Sequence, residues 1–281
     1  MYTRVFNKMP ADDIQAYLNR GGNTIFVAVG VVEVHGAMPV DVEQVFPEAF
    51  ALAMAEKADG LAMTNLPYYF PGGTIISPAT VQVSVRESID HLMIITRSLI
   101  AQGFRKIFFV SGHGPARLYV DAVCRDIFQE TKVHVCHLNG MNIMMNFEGK
   151  QDPAKTFADM EAMCWGAYKM LHQMEFLKID PDAKDPEPFD WNMDTPVNRL
   201  SAVLQPYGSP VSILYGSPKE HGGGRAFRSE QERLEVCTRG EALIRKIVDG
   251  LDLEALKQAI DDYHVYVQEC LKKNPRLQGL Y

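Results

Sequence analysis

Apolar positions along this chain follow two rhythms. Thr24 to Val31 is a continuous run rich in β-branched residues, the pattern of a strand buried on both faces. Leu61 to Leu66, Lys106 to Val110 and Lys132 to Leu138 read as further strands. Between them the spacing lengthens. Val45 to Ala58 is helical, with Phe46, Phe50 and Met54 recurring every four residues and Gly60 as a stop. Ser88 to Gln102 is an amphipathic helix closed by Gly103, and Leu118 to Gln129 is another helix. This alternation predicts a mostly parallel sheet with helices on both faces, a three-layer α/β/α fold.

The second half changes character. Phe157 to Met174 is a long helix. The acidic, proline-rich stretch from Lys178 to Pro196 follows, long enough for a loop to cap a site or an interface or to remain plain surface. Val211 to Tyr215 reads as a last short strand. A glycine-rich loop, "GSPKEHGGGRAFRSE", leads into a helix from about Ser229 to Leu251, and Leu253 to Leu271 is helical. No internal repeat or linker divides the chain, so one domain over residues 1–281 is expected.

Composition narrows the function classes. The chain has 281 residues, 47 % hydrophobic and 22 % charged, which is enough to bury a sizeable core. Its net charge of −7 and the lack of a basic cluster argue against nucleic acid as a partner. No apolar run reaches the roughly 18–20 residues of a membrane span. The opening "MYTRVFNKMPADD" lacks the apolar core of a signal peptide, so a cytoplasmic location is expected. The 5 cysteines are scattered without a CxxC, so free thiols are expected rather than a disulfide framework.

Against that background the end of the first strand stands out. "VVEVHGAMPVDVE" places Glu33, His35 and Asp41 just past a buried run. Ionisable groups there are costly unless something pairs with them. Glu33 and His35 are two apart, so in an extended segment they share a face. His113, in Ser111-Gly112-His113-Gly114, lies at the same end of another buried strand. Ligand sites of open α/β sheets sit beyond these carboxyl ends. One glutamate, two histidines and one aspartate suit zinc, manganese or iron(II). Taken singly, each also reads as an ordinary ion pair or turn cap.

Here the chain resembles the creatininase (creatinine amidohydrolase) family. Glu33-Val34-His35-Gly36 with Met38-Pro39 and Asp41 is similar to that family's Glu-x-His-Gly segment and the His-Leu-Pro and aspartate that follow it. Phe70-Pro71-Gly72-Gly73-Thr74 resembles its Phe-Pro-Gly-Thr segment, and Gly103-Phe104-Arg105-Lys106-Ile107 leads to a His-Gly pair at His113-Gly114. Order and spacing agree over roughly residues 24 to 120. The resemblance implies a layered α/β fold, a hydrolase, two divalent metals per chain and a homo-oligomer, often a hexamer. It implies Glu33, His35, Asp41 and His113 as ligands, with the aspartate bridging.

The chain also departs from that pattern. The stretch from His35 to Asp41 is shorter, and its second histidine is missing, with Met38 nearby. Ser111 replaces an asparagine, and Pro115-Ala116 stands where the family has a glutamate ligand. A later family histidine becomes Thr156, while Asp159 and Glu161 keep two acids. Glu161 or Asp159 is then the candidate for the last metal ligand; being two apart on a helix, only one of them can enter the site. Glu161 is also a catalytic candidate.

His221, in the glycine-rich loop, is the candidate proton donor, its ordinary pKa suiting acid–base work. Arg225 and Arg228 either hold an anionic or polyhydroxylated substrate or pair with acids such as Glu230. Tyr68, Tyr69 and Phe70 either wall the pocket or fill the core. His137 either approaches the site or is an ordinary strand residue.

The expected function is a metal-dependent hydrolase. A metal-activated water attacks a carbonyl of a small cyclic substrate, cutting the C–N bond of a cyclic amide. The alternatives are a C–C hydrolase that opens a cyclic diketone such as an oxidised inositol, and a non-catalytic binding protein with a degenerate site.

Overall fold

The structure is a computed structural model that describes residues 2–76, 78–147, 153–185, 195–204, 206–207, 212–217 and 221–277. Its elements run α1 (Ala11–Asn19), β1 (Thr24–Val29), α2 (Val42–Lys57), β2 (Leu61–Met63), α3 (Val85–Gln102), β3 (Lys106–Ser111), α4 (Arg117–Thr131), β4 (Val135–Asn139), α5 (Gly140–Phe147), α6 (Pro153–Met170), α7 (Pro196–Leu204), α8 (Glu230–Gly250) and α9 (Leu253–Lys273).

The four strands form one parallel sheet in the order β2-β1-β3-β4. Val27 of β1 pairs with Met63 on one side and Phe109 on the other. Alternation along β1 sorts its side chains. Ile25, Val27 and Val29 face a core shared with α1, α3 and α4. Phe26 and Ala28 face a second core built with α2, α6, α8 and α9. Both faces are therefore covered, as a fully apolar parallel sheet requires.

The chain leaves β1 for β2 on one side and then crosses to β3 on the other. The connections leaving β1 toward β2 and β3 toward β4 therefore diverge above the carboxyl ends of β1 and β3, the place where ligands bind in open α/β sheets.

The first four predicted strands and the predicted helices are present, with shifted ends. α2 begins at Val42, three residues before the spacing alone places it. Three helices escaped the sequence pattern: α1, α5 and α7. α1 and α7 have only nine residues each, and α5 has eight. The strand expected over 211–215 begins outside the described residues; within them Tyr215 makes one isolated parallel bridge, to Thr74. Much of the acidic loop, residues 186–194, also lies outside the described residues. All 5 cysteines are free, and Cys237 is buried. Among the described residues no helix is long and apolar enough to cross a membrane.

α6 and α8 cross with their backbones in contact. A Cβ on Gly240 would stand 1.7 Å from the Ala162 carbonyl oxygen, and one on Gly166 would stand 2.2 Å from the Glu241 nitrogen. Gly240→Ala should therefore destabilise the fold by about 3 kcal/mol, the upper range for overpacking. Urea unfolding checks this. An unchanged midpoint would mean that the two helices can part without loss.

Candidate metal centre

Three segments converge above β1 and β3. The first follows β1. Gly30 lets the start of α2 close onto the strand, since a Cβ there would lie 2.4 Å from both the Glu43 carbonyl oxygen and Gln44 Oε1. The loop then turns back on itself. The Glu33 amide donates to the Val40 carbonyl at 2.8 Å, and the Met38 amide donates to the His35 carbonyl at 3.1 Å. This puts Glu33 and His35 beside Glu43 in the first turn of α2.

The second segment follows β3. A Cβ on Gly112 would meet the Phe46 ring at 2.4 Å, so glycine lets the chain pass close to α2 and place His113. The third is the glycine-rich loop. A Cβ on Gly223 would lie 2.4 Å from the Gly36 nitrogen, and the Ala37 amide donates to the Gly224 carbonyl at 2.8 Å. Gly36 itself sits at φ +59°, a conformation that favours glycine. This backbone contact seats the His221 ring 4.6 Å from the His35 ring.

The side chains close into a ring. Glu43 Oε2 lies 2.5 Å from His113 Nδ1, and Glu43 Oε1 lies 3.7 Å from His35 Nε2. Glu33 Oε2 is 3.7 Å from His113 Nδ1, and Glu33 Oε1 is 3.7 Å from His221 Nε2. Two donor groups result: Glu33, His35 and His221, and Glu33, Glu43 and His113, with the atoms of each within 4.8 Å of one another. Glu33 belongs to both.

Glu33 is 1 % exposed, and its Oε2 has no hydrogen-bond partner. Burial pushes its carboxyl up to about 8, helped by the negative charge of Glu43. Glu43 goes the other way: burial acts to raise it, but the charges of His113 and His35 outweigh that and bring it to about 2. His113 is raised, because Glu43 and Glu33 overcome the effect of burial. Burial, then the charge of His35, lowers His221 to about 4. His221 is therefore neutral at pH 7 and offers a lone pair rather than a proton.

Imidazoles and carboxylates converging on one point, with an unpartnered buried carboxylate oxygen, fit a divalent transition metal. One cation beside Glu33 and Glu43 would satisfy both carboxylates.

Glu33, His35, His113 and His221 are thus brought together. Asp41, read from the sequence as a ligand, lies outside both donor groups. Its Oδ1 accepts the Tyr168 hydroxyl at 2.7 Å, and Glu43 stands in the donor group instead. The signal for Glu43 lay in the start of α2: a helix beginning at Val42 puts this acid in its first turn, at the positive end of the helix dipole.

Glu161, the other acid read from the sequence as a ligand, also stands apart. It is exposed, belongs to neither donor group, and takes the Trp165 indole N–H at 3.4 Å. Asp159 pairs with Arg239. Arg225 pairs with Asp185 and Glu232, and Arg228 with Asp185, so both side chains are engaged by acids other than Glu230. Tyr69 is core, stacked on Tyr119, while Tyr68 is exposed. His137 lies outside both donor groups.

The sequence profile of the creatinine amidohydrolase (creatininase) family matches residues 7–175. The fold matches a solved creatinine amidohydrolase at a TM-score of 0.57 and 17 % identity, over 92 % of this chain and 99 % of that one. It also matches a Bacteroides fragilis NCTC 9343 protein assigned provisionally to creatinine amidohydrolase, at a TM-score of 0.57 and 17 % identity, over 94 % and 98 % of the two chains. A creatininase variant of zinc–zinc type gives a TM-score of 0.53 at 16 % identity, over 90 % of this chain and 99 % of that one. A manganese creatininase gives 0.50 at 17 % identity, over 90 % and 98 %. At these identities the structural likeness establishes the fold alone. A polyribonucleotide nucleotidyltransferase from Geobacillus kaustophilus (strain HTA426) is 36 % identical over 69 residues, which is 25 % of this chain and only 9 % of that protein.

Two outcomes follow from this geometry. Glu43→Gln should strip metal from the protein, while Asp41→Asn should keep the parent's metal content; elemental mass spectrometry separates them, and the reverse result would restore Asp41 as the ligand. Metal uptake at pH 7 should also release about one proton from Glu33, with a further contribution from His113, whose charged form its acidic neighbours favour, and less as the pH rises past about 8. Calorimetry in buffers of different ionisation enthalpy measures this. Proton-neutral uptake at pH 7 would show that the donors are already ionised.

Proposed function

The chain belongs to the creatininase family, and from that footing we propose that it hydrolyses the C–N bond of a small cyclic amide at a two-metal centre held by Glu33, His35, Glu43, His113 and His221. The observation that carries this reading is the buried Glu33 carboxylate, one oxygen of which has no hydrogen-bond partner, shared by two donor groups. Family membership supports a metal-dependent amidohydrolase. The zinc–zinc and manganese forms of solved creatininases support zinc or manganese here.

A divalent pair at such a centre supplies, when bound, a nucleophile from water at neutral pH and a Lewis acid for the carbonyl oxygen. The residues of the chain do the rest. Glu33 joins the two donor groups and fixes their spacing. Neutral His221 serves as a ligand, in place of the proton donor read from the sequence. That leaves the proton for another group. Glu161 is suited to carry it: its Oε1 lies only 3.0 Å from where a Cβ on Gly224 would be, and Gly224 pairs with Gly36 beside His35. An exposed carboxylate there can take a proton from the attacking water and pass it to the leaving nitrogen. Tyr215 lies 5.5 Å from His221, ring to ring, and forms part of the wall where a ring substrate would rest.

The test pairs metal content with turnover. About two equivalents of zinc or manganese in the parent, loss of both metal and turnover in His113→Ala, and hydrolysis of a cyclic amide are expected. Glu161→Gln should keep its metal and lose about 10²–10⁴-fold in kcat. Turnover of cyclic diketones with none of cyclic amides would move the reading to C–C hydrolysis. Full metal with no turnover on either class would leave a binding protein.

A further inference from the structure

A second constellation lies on the other face of the sheet from α2. The Ser111 hydroxyl is 2.7 Å from His137 Nε2, and His137 Nδ1 is 2.6 Å from Asp121 Oδ1. The carboxylate can only accept, so Nδ1 carries the proton and Nε2 accepts from the serine. Geometrically this is the serine–histidine–aspartate arrangement of acyl-transfer enzymes. Burial excludes that role. Ser111 is 0 % exposed, in the last position of β3, and no substrate carbonyl can reach its oxygen.

The connectivity points to a different purpose. Ser111 precedes His113 by two residues. After His113 the chain makes one 3-10 turn, Gly114–Ala116, and enters α4, where Asp121 lies one turn in. His137 reaches both from β4, which pairs with β3 in register Phe109↔His137 and Ser111↔Asn139. The relay thus ties the strand that enters the His113 turn to the helix that leaves it.

We propose that Ser111, His137 and Asp121 are positioning residues that hold the His113 turn in the geometry needed to bind metal. The inference rests on the metal-centre reading. His113 is held from both sides: the Phe46 ring closes on Gly112 from α2, and the relay closes on Ser111 from α4 and β4. A ring on a short turn of this kind would otherwise swing, and ligand orientation set by outer hydrogen bonds governs metal affinity.

The experiment measures zinc affinity of the full chain by chelator competition, with the visible spectrum of the cobalt(II)-substituted protein and the melting temperature alongside. Ser111→Ala and His137→Ala should bind zinc about 10- to 100-fold more weakly and shift the cobalt spectrum. Asp121→Asn, which keeps an acceptor for the Nδ1–H, should stay close to the parent, while Asp121→Ala should follow His137→Ala.

Parental affinity and spectrum in both Ser111→Ala and His137→Ala, even with a lower melting temperature, would overturn the proposal and leave a purely structural staple. Labelling of Ser111 by a fluorophosphonate would overturn it in favour of a nucleophile. A parent that binds no zinc would sink the centre itself, whereas a parent that binds and a His113→Ala that does not would confine any failure to the relay. Should His137→Ala not fold, Ser111→Ala, which loses only one hydroxyl, carries the test.

Discussion

A carboxylate that is 1 % exposed and a second one beside it cannot both stay ionised without a cation. Removing an ion from water costs several kcal/mol even after the protein relaxes. Left to itself, the cluster favours a protonated Glu33, an ionised Glu43 and the charged form of His113, which lies 2.5 Å from Glu43. That is an adequate resting state but a poor reason to gather five ionisable groups, two of them buried. The arrangement becomes economical once a divalent ion replaces the protons, because one charge then serves both glutamates and leaves the imidazoles neutral.

The backbone around the centre is shaped by the same constraint. Five donors can converge only if the segments carrying them come closer than side chains allow. Gly30 admits the start of α2, Gly112 admits Phe46, and Gly36 and Gly223 admit each other. The glycine run beside His221 reads from sequence as a flexible loop. In the fold it is a contact surface: backbone lies on backbone, and the histidine before it is held by that contact. The parallel sheet makes the connections of β1 and β3 diverge at their carboxyl ends, and the glycines bring the segments there into close approach.

This also accounts for what the sequence could and could not reveal. The strands were legible because both faces are buried and the apolar runs are unbroken. Glu33, His35 and His113 were legible because each follows such a run at a strand's carboxyl end. Glu43 was obscured by the start of α2. The apolar spacing becomes regular only at Val45, whereas the helix begins at Val42. Asp41 looked equivalent because its competing partner, Tyr168, is 127 residues away. Periodicity carries no information about such a contact. The resemblance to the family pointed to an acid in this stretch, and the geometry shows that the acid in the donor group lies two residues further on.

Where the family resemblance implies a glutamate after His113, this chain has Pro115-Ala116, and His221 stands beside Glu33 from another segment. Pro115 occupies the second residue of the 3-10 turn and commits the chain to α4, so that segment has no side chain to offer the centre. His221 Nε2 stands 3.7 Å from Glu33 Oε1, delivered by the glycine contact with Gly36. The donor thus comes from more than a hundred residues further along the chain, while Glu33 remains common to both groups. A centre that shares its most buried carboxylate can change a peripheral ligand without losing the geometry of the pair. The same argument places the stronger constraint on His113, which stands in the group that Glu43 completes and has a chain segment holding it on either face of the sheet.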